Sequence, residues 1–258
     1  MFIAPALAGG SVTVQSTTST ANSGLYDHLL PRFEAETGID VRVVAVGTGQ
    51  AIRNAANCDG DVLVVHAKAA EEAFVAEGRG VARHDLMYND FIIVGPRNDP
   101  ARIGGGDDAA AALTEISKQG ALFASRGDDS GTHRKERMLW QAAGVNVEEA
   151  SGTWYRETGS GMGATLNIAV GMGAYTLTDR ATWIGFGNKA DFAVLVEGDE
   201  RLFNQYGVIL VSPNACPAVE EAAGLRLVEW LLSAEGQAAI ASYRRDGQQL
   251  FFPNAVVE

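Results

Sequence analysis

Short apolar blocks alternate with polar, glycine-marked breaks along this chain, and their periods set the elements it predicts. Residues 11–15 read as a strand, 16–20 as a loop and 25–37 as an amphipathic helix. A β-branched strand follows over 40–46, then the turn Gly47-Thr48-Gly49 and a helix over 50–57. Residues 61–65 form a continuous apolar run of the kind buried in parallel sheets, and a helix over 69–77 stops at Gly78. That strand–helix rhythm predicts an α/β fold with helices on both faces of a sheet.

A second α/β set starts near Asn89. It comprises a strand over 91–94, a helix over 109–119, a strand over 121–124 and a helix after Ser130. Further elements are expected at 153–155 (strand), 163–172 (helix), 174–177 (strand) and 178–187 (helix). A strand over 206–211 reads as a partner of 91–94, and helices over 219–232 and 235–243 return to the first set. The organisation expected is two doubly wound α/β lobes joined by a two-strand hinge: lobe I is 9–92 with 207–258, and lobe II is 93–206.

Composition narrows the function classes. The chain has 258 residues, enough for two modest cores, and 47% of them are hydrophobic. A net charge of −12 speaks against nucleic acid and against anionic membrane surfaces. There is no apolar run of about 18 residues to span a bilayer. The first eight residues end in Ala6-Leu7-Ala8, like a signal-peptidase site, but carry no basic residue. They read as a signal-peptide remnant, against the alternative of a tag-like start, and imply an exported, periplasmic protein. Cys58 and Cys216 are compatible with a disulfide in such a compartment, which spacing alone leaves open. The four histidines form no ligand cluster, so neither a cofactor nor a directly bound metal is expected.

The candidate chemistry lies in Ser125-Arg126-Gly127-Asp128-Asp129-Ser130-Gly131-Thr132-His133. One permanent cation, three hydroxyls and a glycine-spaced backbone precede a helix start, where unpaired N–H groups favour an anion. The guanidinium of Arg126 is a planar fork suited to an oxyanion. Against that, an Arg–Asp surface pair is an ordinary structural feature, and Asp128 or Asp129 reads as orienting Arg126 or else as capping the helix. Thr18 and Ser19 follow the first strand, at the crevice position where doubly wound sheets bind ligands, although residues of this type also cap helices. Thr48 and Gly49 sit at the equivalent place after the second strand. Gly163 opens a later helix in the loop 159–164, which permits close approach of an anion. His66 and Tyr175 read as structural residues.

Several blocks together resemble the tungstate-binding proteins that serve ABC importers. They are Ser16-Thr17-Thr18-Ser19-Thr20, similar to that family's TTTS signature with serine in the first place; Asp61 to Ala67; Ser125 to His133; Gly161 to Leu166; Tyr175 to Trp183; and Ser233 to Gln237. The resemblance runs over nearly the whole chain. It implies a type II periplasmic binding fold closing on one tetrahedral oxyanion, tungstate and also molybdate, delivered by a monomeric receptor to an inner-membrane ABC permease. The implied ligand shell is Thr18, Ser19, Thr48, Gly49, Arg126, Ser130, Gly131, Thr132 and Gly163.

Two rivals stay open on sequence. A phosphate or sulfate receptor of the same fold would share the Arg126 loop. A phosphate carries a proton and wants a carboxylate acceptor, so an inward Asp128 or Asp129 favours it, whereas an aspartate tied to Arg126 favours a fully deprotonated oxyanion. A serine hydrolase using Ser130 and His133 is the remoter reading, because no orienting acid is evident.

Overall fold

The computed structural model describes residues 10–255, so the expected signal-peptide remnant lies outside the described residues. The chain forms two compact units that divide between Tyr88 and Asn89 and again between Asn204 and Gln205.

The first unit begins with β1 (Ser11–Thr17), α1 (Thr18–Asn22), α2 (Leu25–Thr37), β2 (Asp40–Val46), α3 (Thr48–Ala56), β3 (Val62–Val65) and α4 (Lys68–Ala76). Strand β4 (Gly80–Pro96) carries the chain into the second unit. That unit holds α5 (Ala109–Gln119), β5 (Phe123–Ser125), α6 (Gly131–Ala142), β6 (Tyr155–Glu157), α7 (Met162–Met172), β7 (Thr176–Asp179), α8 (Arg180–Gly185) and β8 (Phe192–Val196). Strand β9 (Phe203–Val211) leads back to the first unit. It is followed by α9 (Glu221–Leu232), α10 (Ala234–Ser242), β10 (Arg244–Arg245), β11 (Gln248–Gln249) and β12 (Phe252–Pro253).

In the first unit the strands run in the order β12-β4-β9-β3-β1-β2. β1 pairs in parallel with β2 and β3, and β9 closes on β3 in antiparallel sense. The run 62–65 is wholly buried because β3 lies between β1 and β9. α2 buries Leu25, Tyr26, Leu29 and Phe33, spaced so that one stripe meets the core, and left-handed glycines Gly24 (φ 84°) and Gly38 (φ 72°) bound it. Cys58 and Cys216 form a disulfide with Cα atoms 5.3 Å apart, joining the end of α3 to the segment before α9.

The second unit is built on period-two strands buried on both faces. Phe91 and Ile93 enter one core with Phe123, Leu139, Trp140, Tyr155 and Tyr175. Ile92 and Val94 enter the other with Ala124, Met162, Leu166 and Trp183. Each large apolar side chain so buried contributes about 1.5–3 kcal/mol. β4 pairs with β7 and β8 in antiparallel sense, and β5 pairs with β6 in parallel.

The structure departs from the sequence reading at several places. Residues 16–20 are not a loop: β1 continues through Thr17 and α1 starts at Thr18. Thr178 and Asp179 belong to β7, and the helix begins only at Arg180 because the Asp179 carboxylate caps it through the Thr182 N–H. The strand expected at 153–155 is β6, set two residues later, and that expected at 174–177 is β7. The strand expected at 91–94 is the end of a 17-residue β4 whose polar first half hid its extent. β8 was not anticipated.

Candidate functional site

In the first unit, parallel pairing brings the C-terminal ends of β2, β1 and β3 to one edge. Thr17 lies opposite Val46, so the chain leaves β1 and β2 side by side, placing Thr18 and Ser19 next to the turn that opens with Gly47 and carries Thr48 and Gly49. Sequence reasoning selected four residues that the fold collects at one sheet edge. The preceding hydroxyls serve the scaffold: Ser16 Oγ is buried, donates to the Val64 carbonyl at 2.9 Å and meets the Tyr26 hydroxyl. Thr17 caps α1 by accepting from the Thr20 N–H. Thr18 and Ser19 are exposed, and Ser19 Oγ lies 3.0 Å from Thr17 Oγ1 and 3.4 Å from His66 Nε2. His66 follows β3, and its ring packs 4.8 Å from that of Tyr206. It thus stands beside Ser19, a placement that sequence alone did not supply.

In the second unit, Ser125 pairs with Glu157, so the loops after β5 and β6 also leave together. The Ser160 N–H donates to the Arg126 carbonyl at 3.3 Å, and Thr158 Oγ1 donates to it at 3.4 Å. These bonds tie the Arg126 loop to the segment that opens α7, where Gly163 is exposed. Gly127 has φ +61°, and a Cβ there would sit 2.8 Å from Glu157 Cβ, so only glycine fits so close to β6. Ser130 caps α6, leaving the N–H groups of Gly131 and Thr132 at the first turn without intrahelical acceptors.

The charges of this loop are arranged in a definite way. Arg126 Nη2 donates to Asp128 Oδ2 at 2.5 Å, and Asp128 Oδ1 accepts from Ser130 Oγ at 2.6 Å. Burial pushes the Asp128 carboxyl up, but the Ser130 hydroxyl and Arg126 guanidinium outweigh it and leave it below the usual carboxylate range. Asp129 is held by Arg134 through two N–H donors at 3.0 and 2.8 Å, and this pairing lowers its pKa. Both acids that could face a ligand are therefore already engaged. Arg126 Nε is buried and has no acceptor among the described residues. A buried guanidinium N–H without a partner is costly and points to an acceptor that arrives from outside.

A sequence model of the PBP superfamily domain matches residues 4–235. The tungstate-binding protein TupA of Peptoclostridium acidaminophilum is 47% identical over 252 residues, which is 96% of this chain and 87% of that protein. The solved structure of the tungstate-binding protein TupA from Desulfovibrio alaskensis G20 has 46% identity and a TM-score of 0.92, covering 96% of this chain and all of that one. This chain belongs to the PBP superfamily and to its tungstate-binding protein family. A further solved relative, titled as the tungstate ABC transporter from Geobacter sulfurreducens, has 46% identity and a TM-score of 0.79 over 92% of this chain and all of that one. The two-unit α/β architecture is that of a periplasmic binding protein. No helix among the described residues is long and apolar enough to cross a membrane.

The family member's Ser130 and His133 are not arranged as a nucleophile and base. Ser130 Oγ donates to Asp128 and accepts from the backbone N–H of His133, whose ring Nδ1 instead accepts from the Asp129 N–H at 3.0 Å. Because Ser130 has one hydroxyl proton and Asp128 holds it, its ligand role is limited to orienting the loop in this arrangement. Tyr175 is a core aromatic: its hydroxyl donates to Asp99 Oδ1 at 2.7 Å and accepts from the Ala101 N–H at 2.8 Å. Sequence reasoning took in Ser160 with the loop 159–164 but did not single out Thr158, which only the pairing of β5 with β6 brings to the Arg126 carbonyl.

Proposed function

We propose that this protein binds tungstate outside the cytoplasm and hands it to an ABC permease. The observation that carries the reading is the Arg126 loop: a buried, unpartnered guanidinium N–H beside two aspartates whose oxygens are occupied by donors. A ligand meeting these groups gains by accepting hydrogen bonds and finds no carboxylate to receive a proton. That favours a fully deprotonated tetrahedral dianion over monohydrogen phosphate. The relatives named for tungstate support this choice of oxyanion over sulfate.

In this reading Arg126 neutralises part of the charge, with the first-turn N–H groups of Gly131 and Thr132 and the backbone at Gly163 completing one set of donors. Thr18, Ser19, Thr48 and Gly49 offer hydroxyls and amides at the sheet edge of the first unit. Molybdate, of similar shape and charge, is an expected second ligand. The work done is binding and transfer in the periplasm by a monomer, with no bond made or broken.

The test is a thermal-shift series with tungstate, molybdate, sulfate and phosphate. A ligand at a hundred times its dissociation constant adds about 2.7 kcal/mol. Tungstate should raise Tm by several degrees while phosphate leaves it unchanged. A shift with phosphate and none with tungstate would overturn the reading.

A further inference from the structure

Behind the Arg126 loop lies a buried acid that the binding reading does not use. Glu136 sits one turn along α6 and is 2% exposed. Its Oε1 accepts from the Tyr155 hydroxyl at 2.7 Å and from Trp140 Nε1 at 3.2 Å. The Tyr155 oxygen is also 2.9 Å from Ser125 Oγ, and Ser125 Oγ accepts from the Gly127 N–H at 3.2 Å. A continuous hydrogen-bonded chain thus runs from the Glu136 carboxyl through Tyr155 and Ser125 to the backbone beside Arg126.

The proton count along that chain allows two directions. The single phenol proton has two acceptors in reach, Glu136 Oε1 and Ser125 Oγ; with Glu136 ionised it goes to the carboxylate, and Ser125 Oγ accepts from the Gly127 N–H. With Glu136 protonated, the acid donates to Tyr155 and the phenol turns its proton onto Ser125 Oγ, which then accepts from both the phenol and the Gly127 N–H. Protonation of Glu136 therefore changes the donors that meet at Ser125 Oγ, the group that anchors the Gly127 N–H beside Arg126.

We propose that Glu136 is a proton-linked positioning residue of the oxyanion site: it takes up a proton as a dianion binds, and its ionisation sets the affinity. This rests on the tungstate reading above. Burial pushes the Glu136 carboxyl up to about 7, against the lowering pull of Tyr155, Ser125, Trp140 and Arg137. The group is thus poised where a nearby dianion decides its charge. The other charged groups on elements packed against α6 are engaged elsewhere: Glu115 with Lys118 on α5, Asp108 with Arg201 at its start, and Asp179 with Thr182 at the end of β7. A bound dianion repels the Glu136 carboxylate, raising its pKa, so linkage requires affinity to be greatest at low pH and to fall as pH rises through 7.

The experiment is tungstate titration calorimetry on the whole protein in two buffers of different ionisation heat, from about pH 6.5 to pH 9. The wild type should show heat that scales with the buffer's ionisation enthalpy near neutral pH, and an affinity falling roughly tenfold over the range, as a one-unit pKa rise on binding gives. Glu136→Gln keeps the shape and should lose both effects while still binding. Tyr155→Phe removes one donor to the carboxylate, so proton uptake should move to higher pH. Without ligand, the indole of Trp140 should report the same ionisation as an emission change near pH 7 that disappears in Glu136→Gln and in Trp140→Phe.

Tungstate binding by the wild type with buffer-independent heat overturns this inference alone. Proton uptake that persists in Glu136→Gln does the same, since it assigns the proton to another group. A wild type that binds no tungstate sinks the proposed function and this inference with it.

Discussion

Arg126 and Asp128 meet through Nη2 and Oδ2 at 2.5 Å, while Arg126 Nε stays buried without an acceptor among the described residues. One side of the guanidinium is held by the loop's own acid and the other is left to a ligand. That division explains how a chain of net charge −12 can hold an anion: the attraction is local and pre-oriented.

Arg126→Ala should remove most tungstate affinity. Hydrogen bonds to charged groups contribute about 1.5–3 kcal/mol, so calorimetry should show a weakening of roughly ten- to a hundredfold. Arg126→Lys should recover little of it, because a point charge cannot keep both the Asp128 bond and the Nε donor. Unchanged binding by the alanine variant would displace the site from this loop.

Loss of a neutral hydroxyl should be milder. Thr18→Val and Ser19→Ala should each weaken binding by about 1 kcal/mol, or fivefold, with Tm of the ligand-free protein nearly unchanged because both side chains are exposed. A Ser16→Ala variant provides the contrast. It removes a buried donor to Val64 and should lower stability by about 1–3 kcal/mol.

Gly127→Ala tests the backbone. The residue has φ +61° and no room for a Cβ beside Glu157, so the substitution should cost about 1–3 kcal/mol in stability. It should also reduce affinity, although no ligand-contacting side chain is altered. Urea unfolding paired with calorimetry separates the two effects.

The acid limb of stability carries the Asp128 signature. Its folded pKa lies below the ordinary aspartate value of 3.8, so the stabilisation is fully present above 3.8 and is lost as pH falls through the folded value. The Tm difference between the wild type and Asp128→Asn should therefore be constant at neutral pH and shrink below about pH 4.

Reduction of the Cys58–Cys216 disulfide, or the double alanine variant, should destabilise the first unit by about 2–5 kcal/mol, since the bridge closes a loop of 158 residues. Calorimetric melting with and without reductant measures this. A Tm that is indifferent to reductant would show that the bridge contributes nothing to the fold.

Most of the order of strands and helices, the buried run at 62–65 and the helix 25–37 were legible in the sequence, because hydrophobic periodicity is a local property of the chain; the short α1 and β8 were not. So were the chemical character of the Arg126 loop and the exposed hydroxyls Thr18 and Ser19, through residue types placed where a strand gives way to a helix. Tertiary structure alone decided the rest. Whether Asp128 faces a ligand or its own arginine depends on a left-handed glycine wedged against Glu157, a partner 30 positions away. That Glu136 ends a chain of hydroxyls beneath the loop depends on β5 lying next to β6. Pairing between distant strands sets which side chains meet, and proximity rather than order along the chain fixes hydrogen bonding and proton affinity.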